Sequence, residues 1–273
     1  MVELDYQQLR NKIIEWANRI KSWEIEWQTG IYPGEMAAFL GLCDLCGVRS
    51  IVESGRGEHA YSSQILGEYS EQKNIEVVSI DLNPIEGKGF HERLERYRKI
   101  RYVVGNAFDV LPRALHGLNG PIALLLDGPK LQPANRLSLV ATMMFDIRVV
   151  AHHNCPLSSA WGKEFSRVFP NSFHYEDTGP FTCSEWQEFK QWEAKWVRHY
   201  EVFDEAHGVP GRSLKGSSLA MAYIPAMLRP RKRLFELQGG LPWYRPVWLW
   251  TKWHISNLWL SFFDSQTRKK FHA

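Results

Sequence analysis

Short apolar runs that alternate with helix-length segments are the feature of this sequence that most restricts its fold. Five such runs occupy residues 50–53, 76–81, 101–104, 122–127 and 147–152. Parallel strands need crossover connections of about a dozen residues or more, usually helices, so this spacing predicts a mostly parallel sheet with helices on both faces. Two weaker strands, at 172–176 and 217–225, flank a Trp-rich helical segment at 184–207. The expected fold class is therefore α/β, with a Rossmann-like sheet of seven strands.

The segment before these strands has a helical pattern. Its apolar residues recur at helical spacing between charged residues, and they are Leu9, Ile13, Ile14, Ala17, Ile20, Trp23 and Trp27. This pattern predicts an amphipathic helix over 6–27 that docks on the body of the protein. A second helix, 35–46, is expected to end at Gly47 as its C-cap. We predict three parts: a docking helix at 1–28, a Rossmann-like domain at 29–228, and a C-terminal extension at 229–273.

Composition and cysteine usage predict a cytoplasmic protein with one main core. The 273 residues are 44% hydrophobic and 23% charged, which suits an ordinary globular chain. The polar start of the sequence does not resemble a secretory signal. Cys43, Cys46, Cys155 and Cys183 include one CxxC pair but no second pair at zinc-like spacing, so they are expected to be buried free thiols.

The C-terminal extension differs in charge from the rest of the chain. Residues 229–273 hold nine Lys or Arg and two acidic residues, a local charge of +7, while the remainder holds 24 basic and 28 acidic residues. Five of the twelve tryptophans also lie there. An apolar stretch at 247–263 is interrupted by polar residues, which favours an interfacial helix over a spanning one. We therefore predict peripheral attachment to an anionic membrane, on its inner face.

The same residues are compatible with other partners for this extension. Packing of the tryptophans on the body of the protein, or on a second subunit of a homo-oligomer, stays open. A nucleic-acid partner is not expected, because the basic residues and the aromatic residues are separated along the chain rather than interleaved.

A glycine-containing turn, in the sequence IVESGRGEHAYSS at 51–63, follows the first predicted strand. Gly55 and Gly57 allow a sharp turn and let a ligand approach the backbone, at the strand end where doubly wound folds bind their ligands. The second strand ends in Asp81, an acidic residue that such folds use to bind both hydroxyls of a ribose. The third and fourth strands lead into "VVGNAFDVLP" and "IALLLDGPK" at the same edge. These features predict a nucleoside-containing ligand.

Taken together, these motifs resemble class I S-adenosylmethionine-dependent methyltransferases, especially bacterial small-molecule O-methyltransferase-like families. The resemblance covers about residues 30–225 and implies the strand order 3-2-1-4-5-7-6, with an antiparallel last strand. It also implies the cofactor S-adenosylmethionine. The residues that carry it are Glu53, Gly55, Gly57, Asp81, Gly105, Asn106, Ala107, Phe108, Asp127, Gly128, Pro129 and Lys130.

The resemblance also implies roles for individual residues. The methionine part of the cofactor is expected at Glu53, Gly55, Arg56 and Gly57, and the ribose at Asp81. The cofactor-binding set further includes Leu82 and Asp127, and the adenine is expected beside Asn106, Ala107 and Phe108. The sequence departs from the family at the bulky Arg56 and at Glu58-His59-Ala60, where a third small residue is usual. Ser62 and Ser63 are expected to compensate by capping the following helix.

Catalysis of methyl transfer requires alignment of the acceptor hydroxyl and a group that takes its proton. His153, after the fifth strand, and Asp127, after the fourth, are the predicted catalytic residues. Metal-dependent relatives place carboxylate and amide ligands at these strand ends, where Asp127 and Asn154 match but His153 replaces an acidic ligand. Magnesium prefers oxygen ligands, so a divalent metal is not favoured.

The predicted function is O-methylation of a hydroxyl on a small molecule or on a membrane-linked glycan or lipid. Two other functions stay open. A nicotinamide-dependent enzyme would also use Asp81, although its G-x-G-x-x-G pattern requires a glycine where Ala60 stands. A binding or scaffold protein could keep the fold without catalysis.

Overall fold

Seven strands form one sheet in the part of the chain that the structure, a computed structural model, describes. That part comprises residues 4–23, 25, 30–57, 60–84, 94–206 and 219–225. The strands are β1 Ser50–Ser54, β2 Glu76–Asp81, β3 Ile100–Val104, β4 Ile122–Leu126, β5 Ile147–His152, β6 Ser172–Phe173 and β7 Ala220–Tyr223. Their order is β3-β2-β1-β4-β5-β7-β6, with β7 antiparallel to both of its neighbours and the other pairs parallel. The predicted α/β fold class and strand order are confirmed.

Seven α-helices lie in the described ranges and cover both faces of the sheet. They are α1 Tyr6–Ser22, α2 Pro33–Leu45, α3 Tyr61–Lys73, α4 Ala107–His116, α5 Gln132–Met144, α6 Ala160–Val168 and α7 Ser184–Ala206. One apolar cluster joins α1, α2, α3 and α7 to one face of the sheet, and a second joins α4, α5 and α6 to the other. The central strands are buried on both faces, which explains why they are continuous apolar runs in the sequence.

The N-terminal helix is shorter than predicted. It begins after Asp5, whose side chain accepts hydrogen bonds from the backbone N–H groups of Gln7 and Gln8, and it ends at Ser22 with Trp23 as C-cap. The predicted continuation to Trp27 falls at residues 24–27, of which all but Ile25 lie outside the described residues. The side chains of Leu9, Ile13 and Trp16 are fully buried in the cluster shared with α2, so α1 docks as its pattern indicated.

The last strands differ in length from the prediction. The run at 172–176 gives only a two-residue strand, because a 3₁₀ turn at Tyr175–Thr178 follows it directly. The run at 217–225 gives β7, which lies between β5 and β6. The basic, Trp-rich extension at 229–273 lies outside the described residues. None of the described helices is both long enough and apolar enough to cross a membrane. The division of the chain at residues 28 and 228 stays a prediction.

Candidate functional site

The carboxyl ends of β1 and β4 meet where the strand order reverses, which is where open α/β sheets bind ligands. Gly55 and Gly57 both have positive φ, +87° and +70°. A Cβ atom at Gly55 would overlap the backbone of Asp127 and Gly128, so this position requires glycine. A Cβ atom at Gly57 would meet nothing within 4 Å. The turn after β1 therefore packs tightly against the end of β4 and then faces open space.

Asp81 ends β2 beside this turn. Its Oδ2 accepts a hydrogen bond from the Gly57 backbone N–H at 3.1 Å, and its Oδ1 accepts one from the Asn83 N–H at 3.0 Å. A carboxylate has about four acceptor sites, so each oxygen can accept a further hydrogen bond. Asp81 is therefore held at the site by the backbone and can still bind a ligand hydroxyl.

Three exposed apolar side chains lie at the same edge of the sheet as Asp81. Leu82 is 67% exposed, Val104 is 54% exposed and Phe108 is 39% exposed. Val104 pairs with Asp81 in the register of β2 and β3. Asn106 caps α4 by accepting a hydrogen bond from the Phe108 N–H at 3.0 Å, which fixes the start of this helix. Large apolar side chains exposed together at a ligand-binding edge indicate a surface for an apolar, flat group. The predicted Ala107 lies just behind this surface and is 7% exposed.

Glu53 is buried beneath the turn. It is 1% exposed and accepts hydrogen bonds from the hydroxyls of Ser62, Ser63 and Ser79. Burial raises the pKa of Glu53, and the three hydroxyls partly offset this effect. Both carboxylate oxygens are bound within the protein, so Glu53 holds the start of α3 against β1 and β2. Ser62 and Ser63 therefore do not cap α3 as predicted, because their hydroxyls donate to Glu53.

Arg56 points inward rather than into the turn. It is 5% exposed, and its guanidinium donates to the carbonyl oxygens of Ser79, Val103 and Asn83 at 3.2, 3.4 and 2.8 Å. Burial lowers the pKa of Arg56, against the charges of Asp81 and Glu53. The bulky side chain that departed from the expected loop pattern therefore ties the turn after β1 to the ends of β2 and β3.

His153 and Asp127 are brought together, as their strand positions predicted. The His153 Nδ1 lies 2.9 Å from the Asp127 Oδ1, and the Lys130 ammonium also pairs with Oδ1. No hydrogen bond from the described residues reaches the Asp127 Oδ2. Burial acts to raise the pKa of Asp127, but the hydrogen bond and charge of His153, together with Lys130, hold it below its usual value. Asp127 therefore keeps its negative charge, with one oxygen open to a ligand.

The second nitrogen of His153 faces the protein interior. Its Nε2 is buried, has no hydrogen-bond partner in the described part of the chain, and lies 3.7 Å from the Glu35 Oε2. Glu35 is 1% exposed, and its Oε1 accepts a hydrogen bond from the Leu219 N–H at 2.9 Å. His153 is therefore held between carboxylates of α2 and of the β4 end. The preceding His152 points to the other face of the sheet, where its Nε2 lies 2.6 Å from the Ser138 hydroxyl.

Two buried glutamates, Glu35 at the start of α2 and Glu193 on α7, were not among the predicted site residues. An acidic residue at a helix N-terminus is commonly explained by the helix dipole, so the local sequence gives Glu35 no role at the site. Glu193 is 2% exposed and accepts a hydrogen bond from the Gly34 N–H at 2.6 Å. A signal for Glu193 exists, because it continues the buried stripe of Trp186 and Phe189 along α7 at helical spacing.

A small cavity lies at the centre of these elements. It has a volume of about 60 Å³ and is lined by the turn after β1, the start of α3, Gly30, Ile31 and Asp127. This volume holds about two water molecules. Within the described ranges, no group of three His, Cys, Asp or Glu side chains is arranged to hold a metal ion.

Comparison with known proteins gives similarity at the level of structure. No family model matches the chain, and none of the curated proteins matches it. The O-methyltransferase from Bacillus cereus in complex with SAH is 16% identical, with 82% of this chain and 93% of that chain covered and a TM-score of 0.42. The O-methyltransferase TomG from Streptomyces achromogenes, in complex with SAM, is 17% identical, with coverages of 83% and 92% and a TM-score of 0.41.

A structure assigned to the Zn-dependent alcohol dehydrogenases of Rhodobacter sphaeroides also matches. It is 11% identical, with 78% of this chain and 98% of that chain covered and a TM-score of 0.32. All three TM-scores lie below 0.5, so these similarities carry no argument about function. The proposals below depend on the strand order and on the geometry of the site.

Proposed function

We propose that the chain binds S-adenosylmethionine at the carboxyl edge of its sheet and transfers the methyl group to an acceptor hydroxyl. The observation that carries the proposal is the position of Asp81 among the exposed side chains of Leu82, Val104 and Phe108. A carboxylate that can accept hydrogen bonds from hydroxyls, next to exposed apolar side chains, suits a ribose attached to a flat base. When bound, S-adenosylmethionine supplies an activated methyl group on a positively charged sulfur.

The described residues fit this cofactor. Asp81 would hold the ribose. Leu82 would contact the adenine together with Phe108, which lies at the start of α4 beside Asn106 and Ala107. The methionine part would follow the turn of Gly55 and Gly57, whose backbone faces open space at Gly57. A cavity of about 60 Å³ is too small for a nucleoside, so only the inner end of the ligand would reach it.

The charges at the site favour a cationic ligand over a dinucleotide. A nicotinamide dinucleotide places its diphosphate at the N-terminus of the helix after β1. Here Glu53 lies beneath that helix start, held by Ser62 and Ser63, and Asp127 lines the cavity in front of it. Among the described residues, the Arg56 guanidinium already donates to three backbone carbonyls and the Lys130 ammonium already pairs with Asp127. A diphosphate would therefore meet carboxylates, whereas a sulfonium would be stabilised by them.

Asp127 and His153 would act on the acceptor. The Asp127 Oδ2 has no partner among the described residues, so it can accept a hydrogen bond from the acceptor hydroxyl and orient it. His153 cannot present Nε2 to a substrate, since that atom is buried against Glu35. The hydroxyl proton would pass to the Asp127 Oδ2, and His153, bonded to Oδ1, would share the added proton with the carboxylate, so that the pair acts as the base.

The proposed acceptor of the methyl group is the class of hydroxyl compound expected from the sequence. A small molecule, or a glycan or lipid linked to a membrane, would present its hydroxyl to Asp127, with the extension at 229–273 holding the enzyme at an anionic membrane surface. The extension carries a charge of +7 and five tryptophans, which supports this arrangement.

Calorimetry with S-adenosylhomocysteine and with NAD⁺ tests the proposal on the full chain. We expect saturable binding of one S-adenosylhomocysteine per chain and no competition by NAD⁺. Binding of NAD⁺ at the same edge would instead identify a nicotinamide-dependent enzyme. If neither ligand binds, the proposal is wrong and the alternative of a scaffold protein without catalysis is favoured.

A further inference from the structure

A second concave surface lies at the amino ends of β1, β2 and β3, on the edge of the sheet opposite the candidate site. It is a groove of about 620 Å³. Its walls are residues 49–50 at the start of β1 with Asn119, residues 73–76 from the end of α3 to the start of β2, and residues 98–101 at the start of β3. We call it the amino-edge groove. The proposed methyl transfer uses none of its residues.

The amino-edge groove is strongly basic. Its lining holds one carboxylate, that of Glu76, and five basic side chains, which are Arg49, Lys73, Arg98, Lys99 and Arg101. Lys73 pairs with Asp44 and lies 5.4 Å from the centre of the Trp16 ring, so the fold already uses its charge. The other four are exposed and form no ion pair within the described residues. Four basic groups that form no ion pair outnumber the single carboxylate of the lining and repel one another, and an anionic ligand would relieve that repulsion.

The backbone that carries these side chains is fixed. The N–H groups of Arg98 and Lys99 both donate to Oε1 of Glu71 on α3, at 2.7 and 3.3 Å, and the Lys99 carbonyl accepts from the Val77 N–H at 2.9 Å. The Arg49 N–H donates to the Pro121 carbonyl at 2.8 Å, and its methylene stem packs against Gly120. A ligand would therefore meet basic groups whose attachment points need no reordering, which reduces the free-energy cost of binding.

We propose that the amino-edge groove binds a soluble small molecule that carries two or more phosphate groups. The planar guanidinium matches phosphate oxygens with paired N–H donors, and Arg49, Arg98 and Arg101 supply three of them. The groove volume falls in the range of about 300–1,000 Å³ that small-molecule sites occupy. Glu76 inside the groove and Glu71 at its rim interrupt the basic surface, which disfavours an extended polyanion such as RNA or a flat membrane surface.

Calorimetric titration of the full chain with inorganic tripolyphosphate, at low ionic strength, tests this proposal. We expect saturable binding of one tripolyphosphate per chain. The double variant Arg98→Gln/Arg101→Gln should weaken it at least about tenfold, because it removes charge-assisted hydrogen bonds. The matched control is Lys163→Gln/Arg167→Gln, which removes the same charge from exposed positions on α6 and should leave binding unchanged. Thermal unfolding of both variants verifies that the fold persists.

Several results would overturn the proposal. Unsaturable binding, or equal weakening in both double variants, would show a general effect of net charge. An RNA oligonucleotide or phosphoinositide vesicles could also displace tripolyphosphate. If either binds more tightly, the groove belongs to a macromolecular or membrane partner. Affinity for S-adenosylhomocysteine should be the same in all variants, since the groove and the candidate site lie at opposite edges of the sheet.

Discussion

The imidazole of His153 and the carboxylate of Asp127 form one hydrogen-bonded unit, with Nδ1 and Oδ1 2.9 Å apart across the ends of β5 and β4. This pairing leaves the Asp127 Oδ2 without a hydrogen-bond partner among the described residues, and the other imidazole nitrogen is buried beside Glu35. The unit therefore presents a carboxylate to the acceptor and keeps the histidine behind it.

The first prediction concerns this unit. His153→Ala should lower the turnover number by about 10²–10⁴-fold, the usual contribution of a positioned acid or base. His153→Asn keeps a donor for Asp127 but cannot take up a proton, so it should be nearly as impaired. Steady-state kinetics with the exposed His116→Ala as control provides the measurement. Full activity of the Asn variant would show that His153 only positions Asp127. If a chelator abolishes activity and added metal restores it, a metal-dependent reaction is favoured instead.

The second prediction concerns Asp81. Asp81→Ala should weaken S-adenosylmethionine binding by about 1.5–3 kcal/mol, the range for a hydrogen bond to a charged group. Asp109→Ala removes a carboxylate from the first turn of α4 at the same edge and should have little effect. Isothermal titration calorimetry would compare the two. Equal affinity of wild type and Asp81→Ala would remove Asp81 from the cofactor site.

The third prediction concerns the buried cluster around Glu53. Glu53→Leu should lower the free energy of unfolding by about 3 kcal/mol or more, since three buried hydroxyls lose their acceptor at about 1–3 kcal/mol each. Glu53→Gln retains an acceptor, and the hydroxyls can rotate to bind its amide, so its cost should be much smaller. Urea denaturation measures both. A Leu variant as stable as the Gln variant would show that the cluster contributes little.

The fourth prediction follows from His152, which is buried against Phe165 and Ser138. Burial lowers the pKa of His152 from 6.5 to about 3. The folded state therefore keeps the imidazole neutral. The free energy of unfolding is not reduced by His152 above pH 6.5, and it decreases as the pH falls towards 3. The loss at the acid end is of the order of 5 kcal/mol. The His152→Gln variant should show a flatter dependence of unfolding free energy on pH across this window, and His116→Gln should match the wild type.

The fifth prediction concerns the extension at 229–273. Deleting it should release the protein from anionic vesicles while cofactor affinity stays intact. Each basic residue near an anionic surface contributes about 1 kcal/mol, so binding of the full chain should weaken with salt, and buried tryptophans should keep it from vanishing. Vesicle sedimentation measures this. A truncated protein that fails to fold, or a full-length protein that ignores such vesicles at low salt, would assign the tryptophans to a core or a subunit interface.

The sheet could be predicted from sequence because its central strands are buried on both faces, so each is a continuous apolar run bounded by polar loops. The predicted length of the edge strand β6 was too great, because apolar residues beyond Phe173, such as Tyr175, enter the core from a 3₁₀ turn. Glu35 and Glu193 were not recognised because their partners are 184 and 159 residues away in the chain. A local pattern contains no information on such pairings.

The direction of Arg56 could not be predicted for a similar reason. From the sequence, Arg56 is expected in the turn beside the methionine part of the cofactor, where its bulk departs from the family pattern. Its actual position depends on three carbonyl groups at the ends of β2 and β3. These acceptors exist only after the strands have paired, so the sequence alone gives no reason to place the guanidinium there.

Two buried hydrogen bonds at the start of α2, one between Gly34 and Glu193 of α7 and one between Glu35 and Leu219, also set the order in which the protein can be completed during synthesis. Gly34 is translated 159 residues before its partner Glu193, and Glu35 is translated 184 residues before Leu219. At about 5–20 residues per second, a ribosome needs roughly 10–40 s to span the longer interval. During that time the Glu35 carboxylate lacks its β7 partner, because β7 has not yet been made. A nascent chain is therefore expected to complete its candidate active site only after Leu219 and β7 have been made.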